Sequence, residues 1–400
     1  MAKWMIFQVG SREHYALPRM FHQKHELSVL VTDIWVRPNS ITSIILKIAR
    51  ISVTSRFHQE LENANVKSWN FIFLFVDFLR KFSFFKKRIN RDAIAQRLFA
   101  KYINTIPKHS EDIVFSYNYV AYLLFKKATQ KGLRCVLGQI DAGPKAGEIN
   151  RELFKKTYGG KIAPNRDLYI SYGSRWKSEC AFAHLIIVNS EWSKKMLIEA
   201  GVDEQKLRVI ELAYNAPIES ISFNRVYPQT FDIQRPMRVL YLGSLKLLKG
   251  IQPLLEATRL LKDQPIEFYI VGSIQIDKML LNDLPSNCKI IGPVSKQQTN
   301  DYYRTCDVMI LPTFSDGFAM TQLEAQAWKM PIIATERCGK VITDKLNGRI
   351  ILKNISEEIA EILKEQLQDP RKLAYFSQNA IELSEFSLET IYQKYKTVIS

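Results

Sequence analysis

The chain has 400 residues, a length that usually requires more than one hydrophobic core. Its composition, with 46% hydrophobic and 24% charged residues, is typical of globular proteins. Its five cysteines are scattered and form no Cys-x-x-Cys pair, which argues against a disulfide framework and against a zinc site. No uncharged apolar run reaches the roughly 18 residues of a membrane span, and the amino-terminal sequence lacks the pattern of a signal peptide. We therefore expect a cytoplasmic protein.

The positive charge is unevenly distributed along the chain. The net charge is +16; residues 1–230 contain 35 Lys and Arg against 20 Asp and Glu, whereas residues 231–400 contain 21 against 20. Such a cationic half indicates an anionic partner, such as phospholipid head groups, nucleic acid or a phosphorylated substrate. The alternative is that the charge serves solubility alone.

Short β-rich apolar runs alternate with amphipathic stretches in both halves, which is typical of βαβ units and predicts an α/β protein with parallel sheets. Ser190 is expected to cap a helix that ends at Gly201. In the first half, strands are predicted over 4–10, 27–36, 112–118, 133–141, 183–190 and 207–215.

The stretch 68–92 departs from this alternation. It combines seven phenylalanines with six cations, Arg80, Lys81, Lys86, Lys87, Arg88 and Arg91. A helix of this composition can lie in a membrane interface with its cations toward anionic lipid. Equally, its apolar side chains can pack on the sheet of the first domain, and the sequence does not decide between the two.

Residues 216–236 contain three prolines and show no hydrophobic period, so we place a linker at 217–236 between domains 1–216 and 237–384. Helices are predicted over 251–262 and 354–370. Strands of the second half are predicted over 237–244, 266–273, 288–294, 307–313 and 331–335.

Two loops of the second half carry groups suited to a nucleotide ligand. Lys249 follows a strand and a glycine turn, an arrangement that can hold phosphate. After strand 307–313, the amides of Met320 and Thr321 open a helix that would face the same crevice. Glu324 would then accept ribose hydroxyls, while Asp316 would reach hydroxyls of a sugar beyond the diphosphate. Spacing alone leaves a second interpretation open, in which Asp316 is simply favoured by the helix dipole and Glu324 is a solvated side chain.

These residues resemble a known motif. Family 4 retaining glycosyltransferases of the GT-B fold carry Gly-x-Leu-x-x-x-Lys-Gly and later Glu-Gly-Phe-Gly-x-x-x-x-Glu-Ala. Residues 237–335 match this order with Gly243, Leu245, Lys249 and Gly250, then Asp316-Gly317-Phe318-Ala319 and Glu324-Ala325. The resemblance implies two Rossmann-like domains facing across a cleft, with a final helix at 385–400 crossing back to the first domain.

The resemblance also implies a role for each matching residue. Lys249 would hold the diphosphate, Glu324 the ribose, and Asp316 the donor sugar. Further donor-binding positions would be Gly10, Gly243, Val294 beside the base, and the amides of Gly317, Phe318 and Ala319.

Two positions depart from the pattern. Asp316 stands where a longer glutamate is usual. Ser244 replaces an arginine that is common in the family, so neutralisation of the diphosphate charge is left to Lys249 and Lys246. Where the family places a histidine after a first-domain strand, this chain has Gln139 and Asp141, and Asp141 is expected to contact the acceptor or the sugar.

The histidines give weaker signals. His22 and His25 lie near Glu26, but without a partner motif a surface or core role is favoured over metal binding. His14 lies near Gly10 and is expected to face the cleft.

The chain contains no Asp-x-Asp motif, so we expect a mechanism that needs no metal and no cofactor. The resemblance implies a hexosyltransferase of polysaccharide biosynthesis that retains the anomeric configuration. Its partners would be a UDP- or GDP-sugar, a glycan or lipid-linked acceptor, and the inner face of an anionic membrane reached through 68–92.

Three alternatives were weighed. A nucleotide-sugar epimerase of the same fold would need no acceptor. A sugar phosphorylase would need a cofactor lysine in a much longer chain. A non-catalytic basic protein would bind nucleic acid, but no recognised nucleic-acid module occurs and the aromatics of 71–85 cluster with aliphatic residues. We therefore expect no nucleic-acid partner.

Overall fold

The computed structural model describes residues 3–38, 40, 43, 44, 46, 54–82, 84, 88–107, 111–160 and 174–399. Within these ranges the chain forms two wholly parallel β-sheets in succession, each covered by helices. The predicted α/β class is confirmed. In the described residues no helix combines the length and apolarity needed to cross a membrane.

The first sheet has seven strands in the order β3-β2-β1-β4-β5-β6-β7. Within this sheet, the strand Trp4–Gln8 is buried on both faces: Met5 and Phe7 enter one core cluster, whereas Trp4 and Ile6 enter the other. Such two-sided burial explains why its strands are nearly continuous apolar runs. The strands are β1 Trp4–Gln8, β2 Leu27–Thr32, β3 Val66–Ser68, β4 Ile113–Tyr117, β5 Arg134–Gln139, β6 Leu185–Val188 and β7 Leu207–Val209.

The helices of this domain occupy the connections between its strands. As predicted, Ser190 caps the helix after β6, because its hydroxyl accepts a hydrogen bond from the Ser193 amide. The helices are α1 Ala16–Gln23, α2 Asn70–Leu79, α3 Arg91–Ile103, α4 Tyr122–Gln130, α5 Pro144–Tyr158, α6 Ser174–Phe182 and α7 Glu191–Glu199.

The second sheet has six strands in the order β10-β9-β8-β11-β12-β13. The order in which the chain adds strands reverses between β8 and β11, so the carboxyl ends of these two strands flank the crevice where ligands bind in open α/β sheets. The strands are β8 Met237–Leu242, β9 Ile266–Val271, β10 Cys288–Gly292, β11 Val308–Leu311, β12 Ile332–Thr335 and β13 Gly348–Ile351. The helices are α8 Ile218–Ile221, α9 Ile251–Leu260, α10 Lys296–Thr305, α11 Thr321–Ala327, α12 Ser356–Gln368, α13 Pro370–Gln378 and α14 Leu388–Ile399.

The final helix, α14, packs on the first domain although the chain reaches it from the second. The Tyr392 hydroxyl and the Lys396 ammonium both donate to the Glu26 carboxylate, at 2.9 and 3.0 Å. Where the chain crosses between domains, the Tyr214 amide donates to the Phe386 carbonyl at 2.8 Å. The expected return of the last helix to the first domain is confirmed.

The phenylalanine-rich stretch has both buried and exposed rings in α2. Phe73 and Val76 are buried in the first-domain core, whereas Phe71, Phe75 and Phe78 are exposed on the other side. Lys86 and Lys87, which belong to the same prediction, lie outside the described residues.

Candidate active site

The loops after β8 and β11 approach each other closely at the crevice. Gly250 has φ of +73°, and a Cβ built on it would collide with the Pro312 carbonyl, so only glycine allows this approach. The turn Leu247–Lys249 precedes Gly250 and carries Lys249 toward the β11 loop. The glycine of the predicted motif thus brings a cation to the second loop.

Lys249, the predicted ligand of the diphosphate, and Asp316, the predicted ligand of the donor sugar, form an ion pair with each other. Both side chains remain partly exposed, at 25% and 21%. Burial and the neighbouring Lys249 ammonium lower the pKa of Lys246, which therefore lies close to the same pair. The structure brings together three charged residues on which the sequence analysis relied.

The turn that opens α11 presents its backbone to the same crevice. The backbone N–H groups of residues 317–321 donate no hydrogen bond to any residue within the described ranges. Ala319 has φ of +67°, and the buried ring of Phe318 anchors the turn against Phe386. Donors without protein partners at a partly open site are available to an anionic ligand.

The same turn touches the first domain. The Ser190 hydroxyl donates to the Gly317 carbonyl at 2.6 Å, and the Trp192 indole donates to the Ser315 hydroxyl at 3.1 Å. A Cβ on Gly317 would collide with the Ile140 carbonyl. Glycine at this position is therefore required by the contact between the two domains.

An interdomain cavity of about 380 Å³ lies at this contact, within the range of small-molecule sites. The first domain lines it with Arg12, Glu13, Ile140, Asn189 and Leu212. The second domain lines it with Tyr241, Leu242, Gly243, Lys249, Leu311, Asp316, Phe318, Ala319, Met320 and Thr321. Seven residues of the predicted donor set therefore share one cavity wall: Gly243, Lys249, Asp316, Phe318, Ala319, Met320 and Thr321.

Arg12 and Glu13 belong to the site but were missed by the sequence analysis. Glu13, His14 and Tyr15 are consecutive non-glycine residues with φ of +51°, +50° and +60°. Each such residue costs about 1–3 kcal/mol, and backbone strain of this kind concentrates at functional sites. No residue type in the segment signals this backbone, so the sequence alone offered no sign of it.

The Glu13 carboxyl is held between aromatic and cationic groups. Burial raises the pKa of Glu13 to about 7, opposed by the Arg12 guanidinium and by a hydrogen bond from the Tyr117 hydroxyl. That bond measures 3.3 Å, and Arg12 lies over the Tyr117 ring at 5.1 Å. The carboxyl therefore changes charge near neutral pH at the cavity wall. Nearby, partial burial of the imidazole and the Lys296 ammonium lower the pKa of His14.

Glu324 lies outside the cavity wall, one helical turn below Met320. The Tyr303 hydroxyl donates to its carboxylate at 2.7 Å. Burial raises the pKa of Tyr303 well above its ordinary value, so this hydroxyl stays protonated and remains a donor. Tyr303 fixes Glu324 and was not predicted as a site residue.

Four other predicted donor residues also lie outside the wall: Gly10, Ser244, Val294 and Gly317. The Gly10 amide donates to Asp33 at 2.9 Å and is therefore directed into its own domain. The Ser244 carbonyl accepts from the Tyr241 hydroxyl at 2.9 Å.

Asp141 is tied into the loop after β5. Its carboxylate accepts hydrogen bonds from the Tyr119 hydroxyl at 2.6 Å and the Gln139 amide at 2.8 Å. Gln139 in turn accepts from the Trp176 indole at 3.0 Å. The α-carbon of Asp141 lies beside Gly317, so this network shapes the first-domain side of the interdomain contact.

His22 ends α1, whereas His25 lies beyond it. Across the described part of the chain, no cluster of three or more His, Cys, Asp or Glu side chains is arranged to hold a metal ion.

A second opening of about 630 Å³ lies between α7 and the loop 335–344. None of the predicted site residues lines it. We therefore take the 380 Å³ cavity as the candidate active site.

Comparison with known proteins supports this reading of the second domain. Residues 228–383 match the family model of glycosyl transferases group 1. An uncharacterized glycosyltransferase of Methanocaldococcus jannaschii is 27% identical over 157 residues, covering 38% of this chain and 44% of that protein. The alignment thus spans less than half of that relative's length.

A second relative is the N,N'-diacetylbacillosaminyl-diphospho-undecaprenol alpha-1,3-N-acetylgalactosaminyltransferase of Campylobacter jejuni. It is 22% identical over 221 residues, which cover 52% of this chain and 58% of the relative.

Among solved structures, HepE of Anabaena in complex with UDP and glucose superposes with a TM-score of 0.63 at 16% identity, covering 99% of each chain. That likeness extends to both domains and to the final helix. The chain therefore has the GT-B fold, and its residues 228–383 are similar to the glycosyl transferases group 1 family.

Proposed function

We propose that this protein is a glycosyltransferase that moves a sugar from a nucleotide diphosphate donor to a hydroxyl of an acceptor glycan. The observation that carries the proposal is the interdomain cavity in which Lys249, Asp316 and the unbonded amides of residues 317–321 meet. A cation and backbone donors suit a diphosphate, while a carboxylate that only accepts hydrogen bonds suits sugar hydroxyls.

In the proposed complex, the diphosphate lies against Lys249 and the amides of Met320 and Thr321. Binding requires the Lys249 ammonium to exchange Asp316 for phosphate oxygens. Asp316 is then released toward the sugar hydroxyls, with the amides of Gly317, Phe318 and Ala319 beside it. Glu324, oriented by Tyr303, accepts the ribose hydroxyls from below the cavity wall. Val294, Ser244 and Gly10 remain proposals for the periphery of the donor.

Arg12 supplies the second cation that this donor site needs. A diphosphate linkage carries about two negative charges, and Ser244 stands where related sequences place an arginine. Arg12 lines the cavity in the wall opposite Lys249, with its guanidinium over the Tyr117 ring. An arginine can donate two parallel hydrogen bonds to phosphate oxygens.

The proposed reaction stabilises the departing nucleotide diphosphate and needs no metal. Lys249, Arg12 and the amides meet the negative charge that builds on the phosphate as the glycosidic bond breaks. The acceptor hydroxyl attacks on the same face and gives its proton to a phosphate oxygen, so the anomeric configuration is retained. The lack of an Asp-x-Asp motif supports metal independence. Activity is therefore expected to persist in the presence of a chelator.

The donor and the acceptor are proposed by class. The structural neighbour HepE binds UDP and glucose, which supports a UDP-sugar, although a GDP-sugar fits the same groups. The Campylobacter relative is named for a sugar diphospho-undecaprenol, which supports a lipid-linked glycan as acceptor. Asp141 is proposed to orient the acceptor side of the cleft. Such an enzyme would work in the cytoplasm, at the inner face of the membrane.

The proposal is tested with substitutions at the cavity. A panel of UDP- and GDP-sugars first identifies the donor, because a bound donor raises the melting temperature. With that donor, Lys249→Ala is expected to lower turnover about a hundredfold, the usual cost of removing one charge-stabilising donor. Arg12→Ala and Glu324→Gln are each expected to lower turnover or donor affinity about tenfold.

Lys262→Ala is the matched control, because Lys262 is exposed in the same domain and lies outside the cavity. It should retain full activity. Normal turnover in both Lys249→Ala and Glu324→Gln, with unchanged melting temperatures, would contradict the site assignment. Conversion of the donor sugar without transfer to any acceptor would instead indicate an epimerase.

A further inference from the structure

The helix α2 is apolar on two opposite sides, which is unusual for a helix on the surface of a domain. Its inner side is buried in the first-domain core through Phe73, which is fully buried. Its outer side carries Phe71, Phe75 and Phe78, which are 80%, 62% and 52% exposed. Burial in the core therefore accounts for only one of the four phenylalanines of α2.

The exposed rings form one patch. Positions 71, 75, 78 and 82 follow helical spacing, and the rings of Phe78 and Phe82 touch edge to face at 5.6 Å between centroids. Phe84 is exposed beyond them. Together the five rings expose about 600 Å², taking roughly 200 Å² for a fully exposed phenylalanine, which is the upper end for patches on a monomer. A patch of this size marks an interaction surface. We call these five rings the phenylalanine patch.

Among the described residues, cations flank the phenylalanine patch along the chain. Lys81 and Arg88 are exposed, and the Arg88 guanidinium lies 4.1 Å from the Phe84 ring. Asp77, the single acid between residues 63 and 91, is paired with Arg91 at 2.9 Å. Aromatic rings bordered by cations suit the boundary of an anionic bilayer, where rings enter the acyl region and cations meet phosphates.

The patch is linked directly to the loop that lines the active site. Arg91 bridges Asp77 of α2 to Asp33, and Asp33 accepts the Gly10 amide at 2.9 Å. The cleft loop with Arg12 and Glu13 follows Gly10 at once. A surface bound through α2 would thus lie at a fixed distance from the cleft, where a lipid-linked acceptor needs to arrive.

We infer that the phenylalanine patch, with Lys81 and Arg88, inserts into the surface of a membrane rich in anionic phospholipid. The helix has ten residues, about 15 Å, which is too short to span a bilayer and fits an orientation along its surface. The membrane surface itself is inferred from the patch alone. Only the presentation of a lipid-linked acceptor rests on the proposed function.

The test is vesicle flotation of the full-length protein without donor or acceptor. Vesicles contain either phosphatidylcholine alone or phosphatidylcholine with about one-third phosphatidylglycerol. The wild type is expected to float with the anionic vesicles, and Phe71→Ser/Phe75→Ser/Phe78→Ser to lose at least tenfold in partitioning. Lys81→Glu/Arg88→Glu is expected to lose binding that depends on the anionic lipid.

Ile233→Ser/Leu352→Ser is the control, since both side chains are exposed but lie outside the first domain. It should float as the wild type does. Equal flotation of the triple variant and the wild type, or no flotation of the wild type, overturns the inference. So does a wild-type dimer in lipid-free solution that becomes monomeric in the triple variant, because the patch would then bind a second copy.

Donor binding separates this inference from the proposed function. The triple variant should keep the donor-induced rise in melting temperature, because its substitutions lie outside the cavity. A failure of flotation with intact donor binding removes the membrane surface alone, whereas the reverse result removes the donor site alone.

Discussion

The Lys249–Asp316 ion pair predicts an unusual response to loss of the acid. Asp316→Asn frees the lysine and removes a negative charge that repels phosphate, so nucleoside diphosphate without sugar should bind about five- to tenfold more tightly, as expected for a partly exposed pair worth about 1 kcal/mol. Sugar transfer should fall, because an amide replaces the acceptor of the sugar hydroxyls. Calorimetric titration with UDP or GDP and a turnover assay measure the two effects.

Asp263→Asn is the matched control, because Asp263 is exposed in the same domain. Weaker binding of the diphosphate to Asp316→Asn would mean that Asp316 holds Lys249 in its productive position, and the proposed exchange would be wrong.

Glu13 predicts a pH dependence of donor binding. Burial raises its pKa to about 7, so the carboxyl is neutral below that pH and becomes a negative charge above it. The facing groups are Arg12 and Tyr117 on its own domain and Lys249 and Asp316 across the cavity. Affinity for the sugar nucleotide should therefore fall about tenfold between about pH 6 and pH 8. Glu13→Gln should flatten this profile.

The same group affects stability with a definite sign. Its pKa is higher in the folded chain than the ordinary value of 4.5, so the folded state binds more protons between pH 4.5 and about 7. Stability contributed by the neutral carboxyl is therefore present below pH 4.5 and lost as pH rises through 7. Thermal unfolding of the wild type and Glu13→Gln should converge at low pH. A wild-type affinity that does not change with pH would contradict the assignment of Glu13 to the cavity.

At the same scale, sequence patterns predicted the second-domain wall but not the first. Lys249 and Asp316 belong to a spaced motif next to strand ends, so their proximity follows from the parallel sheet. Arg12 and Glu13 belong to no motif, and their place depends on left-handed backbone between residues 13 and 15. The direct pairing of Lys249 with Asp316 also depends on the close approach of two loops in space, which spacing along the chain does not encode.

At the scale of elements, each predicted run of apolar β-branched residues contains a strand, because both faces of a parallel sheet are buried. Two strands were missed, β3 and β13, with three and four residues at the sheet edges. Such edges bury little, so their residues carry no long apolar run. Beyond Pro370 the chain continues directly into α13, where proline occupies the first helical position.

The helix α2 illustrates why composition left two interpretations open. Its phenylalanines alternate between a face buried by the sheet and a face that the described protein leaves exposed. Composition counts the rings but does not assign them to a side. Their division became visible only when Phe73 was placed in the core and Phe71 outside it.

At the scale of the whole molecule, Gly317 predicts control over the contact between domains. Gly317→Ala introduces a methyl group against the Ile140 carbonyl, while its own backbone needs no left-handed conformation. The two domains should keep their folds but no longer close fully. We expect an unchanged far-ultraviolet circular dichroism spectrum, a larger radius of gyration by small-angle X-ray scattering, and turnover reduced at least about tenfold.

An unchanged radius of gyration together with normal turnover in Gly317→Ala would show that the interdomain contact accommodates the added methyl group. The inferred requirement for glycine at position 317 would then be wrong. Ser190→Ala removes the hydrogen bond to the Gly317 carbonyl, together with the cap of α7, and adds no bulk, so it separates loss of attraction from steric exclusion.

The chain crosses between its domains twice, and the two passages are joined at the hydrogen bond from Tyr214 to Phe386. Two covalent connections that meet at one place act as a hinge. They resist sliding and separation and leave rotation about that point as the compliant motion. Ligand exchange at the far edge of the cleft therefore requires only a small rotation of one domain, because the displacement that the rotation produces grows with distance from the hinge.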